Sequence, residues 1–299
     1  NARITLPGRD EAEAGVTRIL NWFSANPLRP AIFSIFSILA LGSLANMLSP
    51  PRQDRHWYPY LSHTPHVEIT DAGFTVSPVS DWSYEYDRAT DTTYLPAASY
   101  NFDELRRVWF MLEPQPGSQL AAHTLLLFEF SDDRILGLTI EARREEGEEY
   151  SAFHGQFNAF ELIYIWTTAR DLLIRRATML DHDVFVYPVD ITEAQNRTLL
   201  RHLLERSQSL EHTPRYYNTI VSNCTNELAK AAGFHWAPAY VLTGRSDEYL
   251  FRRGIIPGAS FYQAHVRSDV TDFVQALNHA PRESFDRELL AELRRRNPA

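Results

Sequence analysis

The stretch AAHTLLLFEFSDDRILGLTIEARRE, residues 121–145, contains two apolar runs that are joined by a short polar turn. The first run, residues 121–130, is almost continuously apolar, as expected of a strand that is buried on both faces. The second run, residues 135–145, returns after Asp132 and Asp133, whose side chains favour turns. This arrangement predicts an antiparallel β-hairpin and is the clearest β signal of the chain.

The hairpin raises the question of which residue lies opposite a histidine on its first strand. His123 opens a strand that is otherwise apolar, and a turn centred on residues 132 and 133 places it opposite Glu141 or Ala142. A register shift of one residue would move a side chain to the other face of the sheet, so both partners stay open.

Further elements follow on either side of the hairpin. Residues 66–70 and 74–78 have the pattern of short strands, and residues 183–191 predict another strand. Residues 192–210 predict a helix, with Thr192 as N-cap and a glutamine in the capping-box position. Together with the hairpin these elements predict an α+β fold with an antiparallel sheet and helices.

Composition excludes several classes of protein. A net charge of −9 over 299 residues argues against a nucleic-acid binder. The single cysteine, Cys224, excludes an internal disulfide, and also a thiolate zinc cage or an iron–sulfur cluster within one chain. The spacing of His56, His63 and His66 matches no standard zinc pattern, so we expect no metal and no cofactor.

The N-terminal part differs from the rest of the chain. Residues 1–29 predict an amphipathic segment, and residues 30–51 are uncharged and bracketed by prolines. This length is enough for a transmembrane helix, although a buried core helix is the alternative. The arginine bias around the stretch favours a cytoplasmic N-terminal side and an exported remainder, residues 52–299.

Cys224 is the first candidate for chemistry. Asn223 has the properties of an N-cap for a helix that ends near Gly233, which places Cys224 at the first helical position. Free backbone N–H groups and the helix dipole lower a thiol pKa there, and the thiolate is the nucleophile. The alternative is a lone cysteine that serves as a small buried hydrophobe.

A cysteine nucleophile requires a base, and His123 at the end of its strand is the candidate. Glu141 could fix the imidazole as the third member of a triad, whereas its alternative is a salt bridge with Arg143 or Arg144. The alternative for His123 is a core histidine with satisfied hydrogen bonds, which the residues alone slightly favour. His154 and His182 are the other candidate bases.

The blocks AAHTLLLFEF, LTIEARREEGEEYSAFHGQF, ELIYIWTTARD and YYNTIVSNCTNE resemble, in this order, those of the Lnb-type bacterial lipoprotein N-acyltransferases. DRHWYPYLSHTP and GRSDEYLFRRG add weaker similarity at the two ends, so that the resemblance covers roughly residues 52–260. The resemblance implies a circularly permuted papain-like domain, related to NlpC-type peptidases and lecithin:retinol acyltransferase, that follows a membrane helix. The chain departs from the usual family sequence at Thr139, where a serine is usual, and at Asn226, where a second threonine is usual.

The resemblance also implies the site. Cys224 would be the nucleophile, His123 its base and Glu141 the third catalytic residue, while Arg143, Tyr217 and Asn223 would line the substrate site. The implied partners are a phospholipid acyl donor, a diacylated lipoprotein acceptor and the bilayer, at the periplasmic side of a bacterial inner membrane.

Three functions remain open from the sequence. The first is an acyltransferase that forms a thioester on Cys224 and passes the acyl chain to the α-amine of the lipoprotein's N-terminal cysteine. The second is a thiol amidase or peptidase that acts on cell-wall peptides. The third is a non-catalytic envelope module, which predicts a Cys224 thiol that is remote from His123.

Overall fold

The computed structural model describes residues 49–298 together with Pro30, Ser34 and Ser37. The chain divides into two compact units, Asn1–Pro50 and Pro51–Ala299. The predicted amphipathic segment 1–29 and nearly all of the predicted membrane helix 30–51 lie outside the described residues. Among the residues that are described, no helix has both the length and the apolar character needed to cross a bilayer.

The main sheet of residues 49–298 has seven strands in the order β12-β8-β9-β10-β11-β3-β6. Adjacent strands of this sheet pair antiparallel, except β11 and β3, which share a parallel bridge between Thr167 and Ser80. The apolar runs of the sequence form its centre, as predicted. The strands are β3 (Val79–Ser80), β6 (Tyr94–Leu95), β8 (Leu105–Pro114), β9 (Ala122–Phe130), β10 (Ile135–Arg143), β11 (Glu161–Thr168) and β12 (Phe185–Pro188).

Two small sheets lie before the hairpin in the sequence. One has the order β1-β2-β7 and the other pairs β4 with β5. The predicted strands near residues 66–70 and 74–78 are confirmed as β1 and β2. The bounds are β1 (His66–Ile69), β2 (Gly73–Ser77), β4 (Ser83–Glu85), β5 (Arg88–Asp91) and β7 (Ala98–Asn101).

The helices follow the sheet strands or connect them. They are α1 (Ala169–Ile174), α2 (Glu193–His212), α3 (Cys224–Ala231), α4 (Ser246–Arg252), α5 (Phe261–Ser268), α6 (Thr271–Leu277) and α7 (Arg282–Arg296). A π-helical turn, Arg175–Met179, continues α1. Short 3₁₀ turns occupy Pro59–Leu61, Phe102–Glu104, His154–Gln156, Pro238–Tyr240 and Thr243–Arg245.

The sheet separates two apolar cores. Along β9, Leu126 and Phe128 face the core beneath α2 and α3, whereas Leu125 and Leu127 face the core beneath α1, α6 and α7. Because both faces are covered, the central strands need apolar residues at successive positions. This layering confirms the mixed α+β class that the sequence predicts.

The hairpin register is the detail that positions the site. Ile135 pairs with Glu129 and Leu138 pairs with Leu126. Continued along the two strands, this register places Glu141 opposite His123. Of the two partners that the sequence left open, the structure selects Glu141.

Candidate active site

The start of helix α3 holds the thiol. Cys224 is its first residue, and the side chain of Asn223 accepts a hydrogen bond from the Asn226 amide at 2.7 Å. The Asn223 amide group also donates to the carbonyl oxygens of Thr219, at 2.8 Å, and Tyr240, at 2.6 Å. The predicted N-cap is therefore confirmed. By the geometry of a helix start, the amides of Cys224 and Thr225 have no partner within the helix.

A buried carboxylate in the first turn anchors the same helix. Glu227 is fully buried and accepts from Arg206 at 2.6 Å and from Lys230 at 2.8 Å. Burial raises the pKa of this carboxyl, but the Lys230 hydrogen bond and the Arg206 charge outweigh it and lower the pKa to about 2. The ionised carboxylate fixes α3 against α2 and thereby fixes the position of the thiol.

The His123 imidazole is held by a hydroxyl and a carboxylate. Its Nε2 lies 2.7 Å from the Thr139 hydroxyl and 3.1 Å from Oε1 of Glu141. The Thr139 hydroxyl donates its only proton to Glu141 at 2.7 Å, so it must accept from His123. Nε2 therefore carries a proton, and Nδ1 is the nitrogen that is free to act as a base.

The His123 imidazole and the Cys224 thiol line the same cleft, where each is near enough to shift the pKa of the other. Burial lowers the pKa of the imidazole, but the negative charges of Glu141 and Cys224 outweigh it and raise the pKa well above its usual value. Burial raises the pKa of the thiol, whereas the positive charge of the nearby His123 lowers it to about 7. The two groups favour a thiolate–imidazolium pair near neutral pH.

A chain of charged residues leads away from Glu141. Arg176 donates to Glu141 at 3.3 Å and pairs with Glu113 at 2.8 Å, and Glu113 in turn contacts His182 at 2.6 Å. Burial raises the pKa of Glu141, but the charge of His123 outweighs it and the pKa falls well below its usual range. Glu141 is thus an anion that orients the imidazole and balances its charge.

Thr139, Arg176 and Glu113 are the residues that the sequence did not predict for the site. Thr139 occupies the position at which the family usually has serine, so the hydroxyl is retained. Arg176 reaches Glu141 from the π-turn, and Glu113 pairs with Arg176 from β8; both elements lie far from Glu141 along the chain. The local sequence does not predict which charged residues are buried against each other.

The side chains of Cys224, His123 and Glu141 line an open cleft with a volume of about 410 Å³, which is within the usual range of ligand pockets. Tyr217 also lines the cleft, and its hydroxyl lies 3.3 Å from that of Tyr150. Burial, followed by the charge of Cys224, raises the pKa of Tyr217 well above its usual value, so its hydroxyl stays a donor. No cluster of His, Cys, Asp or Glu with the arrangement of a metal site occurs among residues 49–298.

The other predicted residues fall in different places. Arg143 points away from the cleft, where its guanidinium donates to the carbonyl oxygens of Leu61 and Ser62 and stacks 4.3 Å from the Trp57 ring. Asn223 borders the cleft, but its side chain is engaged in capping and in loop contacts. His182 is the only alternative base that lines the cleft within residues 49–298, and its Nδ1 is bound to Glu113.

Exposed apolar side chains lie on the segments that carry cleft-lining residues or are hydrogen-bonded to them. They lie on segments that hydrogen bonds connect, since Thr219 donates to Gly155 at 3.2 Å, Gly244 donates to Leu120 at 3.1 Å and Trp236 donates to Ile220 at 3.1 Å. The side chains are 46–65% exposed. We call this surface the apolar rim, and it consists of Leu120, Tyr150, Phe153, Val221, Trp236 and Leu242.

Comparison with known proteins adds one finding. The family profile described as the Lnb N-terminal periplasmic domain matches residues 92–246. This span is more than half of the chain and includes the hairpin and the start of α3. The comparisons with curated proteins and with solved structures give no significant match.

Proposed function

The chain belongs to the Lnb family and contains its periplasmic N-terminal domain, and on this premise we propose that it is a thiol-dependent lipoprotein N-acyltransferase. The family connects the domain with lipoprotein processing in the bacterial envelope. The reaction, the substrates and the residues that act on them are our proposal. Its support comes from the geometry of Cys224, His123 and Glu141.

In the first half-reaction the Cys224 thiolate attacks an ester carbonyl carbon of a membrane phospholipid. The C–O ester bond breaks, and the protonated His123 gives its proton to the leaving alcohol oxygen. The products are a thioester on Cys224 and a lysophospholipid. A covalent intermediate of this kind divides one difficult transfer into two easier steps.

In the second half-reaction the α-amine of a diacylglyceryl cysteine attacks the thioester carbonyl. His123 accepts the proton that the amine loses, and the C–S bond breaks to regenerate the thiolate. The product is an amide-linked third acyl chain. In both steps the unpaired amides of Cys224 and Thr225 at the helix start are candidate donors to the oxyanion, and the protonated Tyr217 is a further candidate.

The apolar rim is the observation that favours acyl transfer over peptide hydrolysis. A hydrolase of cell-wall peptides needs a polar and open approach to its nucleophile, whereas a lipid ester must enter from an apolar phase. Exposed aromatic and aliphatic side chains on the segments that carry or adjoin the cleft-lining residues suit a bilayer surface. A membrane helix in residues 30–51 would keep the domain at that surface, on the periplasmic side of the inner membrane.

The proposal extends to the fold. A histidine on a strand that precedes, in the chain, a cysteine at a helix start is the order expected of a circularly permuted papain-like domain. The use of Nε2 for Glu141 and Nδ1 for the thiol is consistent with such a site. We therefore propose that residues 52–299 form a permuted papain-like thiol domain.

Intact-mass spectrometry of the full chain after incubation with phospholipid tests the proposal. We expect a mass gain of one acyl chain that hydroxylamine removes, and we expect no gain in Cys224→Ser or His123→Ala. His279→Ala, a change at an exposed histidine outside the cleft, is the matched control and should behave as wild type. Addition of a diacylated lipopeptide should discharge the wild-type thioester onto the peptide amine.

A wild-type chain that gains no acyl mass from phospholipid contradicts the acyltransferase proposal. Cleavage of cell-wall peptides by that same chain, with dependence on Cys224 and His123, would assign it to the thiol amidase or peptidase class instead. Absence of both activities together with an unreactive thiol would favour the non-catalytic module.

A further inference from the structure

Two arginines of the cleft differ from the third in their partners. Arg176 is neutralised by Glu113 and Glu141, at 2.8 and 3.3 Å. Arg144 and Arg175 also line the cleft, but neither forms an ion pair with a carboxylate of residues 49–298. The cleft of a protein with a net charge of −9 thus contains two arginines that have no ion-pair partner among residues 49–298.

Aromatic rings support both of these guanidinium groups. The guanidinium carbon of Arg175 lies 4.1 Å from the centroid of the Tyr60 ring, and that of Arg144 lies 5.7 Å from the Tyr58 ring. Contact with a ring face orients the guanidinium plane but leaves its N–H donors available. Arg175 also begins the π-turn, a distortion that often marks functional positions in helices.

Tyr60 supplies an independent observation. Its side chain is 4% exposed and lines the cleft, yet its hydroxyl has no hydrogen-bond partner within the described part of the chain. A buried hydroxyl without a partner costs free energy. The cost would be recovered if a ligand supplied an acceptor beside Arg175.

We propose that Arg144, Arg175 and Tyr60 bind the phosphodiester of the donor phospholipid. A phosphate offers several acceptor oxygens and a negative charge, which match two guanidinium forks and a phenol. The phosphate of a glycerophospholipid is only a few bonds from both ester carbonyls, so its site must lie in the cleft that contains Cys224. The identity of the ligand as a lipid rests on the proposed function, whereas the anion site rests on the arginines and Tyr60.

The test measures binding rather than catalysis. The full chain with Cys224→Ala is titrated calorimetrically with dihexanoyl phosphatidylglycerol and with dihexanoylglycerol, which has the same chains and no phosphate. We expect Arg175→Gln and Arg144→Gln each to weaken binding of the phospholipid about ten-fold, the usual size of one charged hydrogen bond, and to leave binding of the diacylglycerol unchanged. Arg106→Gln, at an exposed arginine on β8 that does not line the cleft, is the matched control.

Two further variants keep the result independent of folding. Tyr60→Phe removes only the hydroxyl, so we expect weaker phospholipid binding without a loss of thermal stability. Arg175→Lys retains the charge without the fork, and we expect intermediate affinity. Equal weakening of both lipids, or no weakening of either, would overturn the proposal.

Inorganic phosphate distinguishes a headgroup site from a free-phosphate site. Competition by inorganic phosphate at the affinity of the lipid itself would overturn the headgroup assignment. Arginine-dependent binding of phosphatidylglycerol by a chain whose wild type forms no acyl-enzyme would uphold the phosphate site and remove the acyl-transfer proposal. The two proposals can therefore fail separately.

Discussion

At the scale of residues, the chemistry of the site depends on one negative charge. Glu141 accepts from Thr139, His123 and Arg176, so its carboxylate both fixes the imidazole tautomer and stabilises the imidazolium. The imidazolium in turn lowers the pKa of the Cys224 thiol to about 7. Removal of the charge at Glu141 should therefore act on the thiol through His123.

We expect Glu141→Gln to raise the midpoint of the pH dependence of thiol alkylation. In the wild type, the rate of alkylation by iodoacetamide should rise as pH passes through about 7, the pH at which the thiolate forms. Without the carboxylate the pKa of His123 falls and the thiol loses its positive partner, so the midpoint should increase by about 1 unit, a differential interaction of roughly 1.4 kcal/mol.

Glu149→Gln, at an exposed glutamate of the loop after β10, is the matched control for this titration. Its midpoint should equal that of the wild type. An unchanged midpoint in Glu141→Gln would mean that Glu141 does not act on the thiol through the imidazole. Stopped-flow alkylation over the range from pH 5 to pH 9, roughly the range in which thiols and histidines titrate, makes the measurement.

Sequence reasoning named Cys224, His123 and Glu141 as candidates because each depends on a local rule, either a helix cap or a hairpin register, although the register left Ala142 open beside Glu141. It did not identify Arg176, because the approach of Arg176 to Glu141 depends on how α1 and its π-turn pack against the sheet. The resemblance also suggested Arg143, whose side chain binds the segment 61–64 on the other side of the strand end. Strand alternation no longer predicts direction there, since β10 ends at Arg143.

At the scale of elements, the start of α3 serves both stability and chemistry. Asn223 caps α3 and also donates hydrogen bonds to two loop carbonyl oxygens. Thr192 caps α2 through a capping box and does not line the cleft. These two caps allow the effect of a lost cap on stability to be separated from its effect on the thiol.

We expect Asn223→Ala and Thr192→Ala each to lower the free energy of unfolding by about 1 kcal/mol, the usual value for an N-cap. The loss should be larger for Asn223→Ala, because its two hydrogen bonds to carbonyl oxygens are also removed. Only Asn223→Ala should slow alkylation of Cys224, since only that helix presents the thiol. Urea unfolding and iodoacetamide kinetics on the same samples make the comparison.

Equal slowing of alkylation in the two variants would contradict this view, because it would trace thiol reactivity to global stability.

The caps of α2 and α3 and the strands of the hairpin were predictable, since their signals lie within a few residues. The short strands β3 and β6 were not, because each has only two residues and depends on pairing across the sheet.

At the scale of the whole molecule, the cleft and the apolar rim lie on the same connected segments. The loop 150–157 and the segment 217–222 are joined through Thr219, whose hydroxyl donates to Ala152 at 2.8 Å, and Leu242 lies beside the lining residues Val241 and Thr243. A surface that touched the rim would therefore also cover the entrance to Cys224. This arrangement predicts that residues of the apolar rim affect the reaction with lipid in a bilayer and do not affect the reaction with monomeric lipid.

We expect Trp236→Ser and Leu242→Ser to slow formation of the acyl-enzyme from phospholipid vesicles about ten-fold, and to leave its rate from monomeric short-chain phospholipid unchanged. Burial of one large apolar side chain contributes roughly 1.5–3 kcal/mol, which is sufficient for such a change in vesicle binding. Tyr262→Ser is the matched control, because Tyr262 is 75% exposed on α5 and does not belong to the rim.

Slower reaction with both forms of lipid would instead assign Trp236 and Leu242 to the cleft itself. An unchanged rate with vesicles would remove the rim as a membrane-docking surface. Because the monomeric lipid needs no bilayer contact, the ratio of the two rates isolates docking from the chemistry at Cys224.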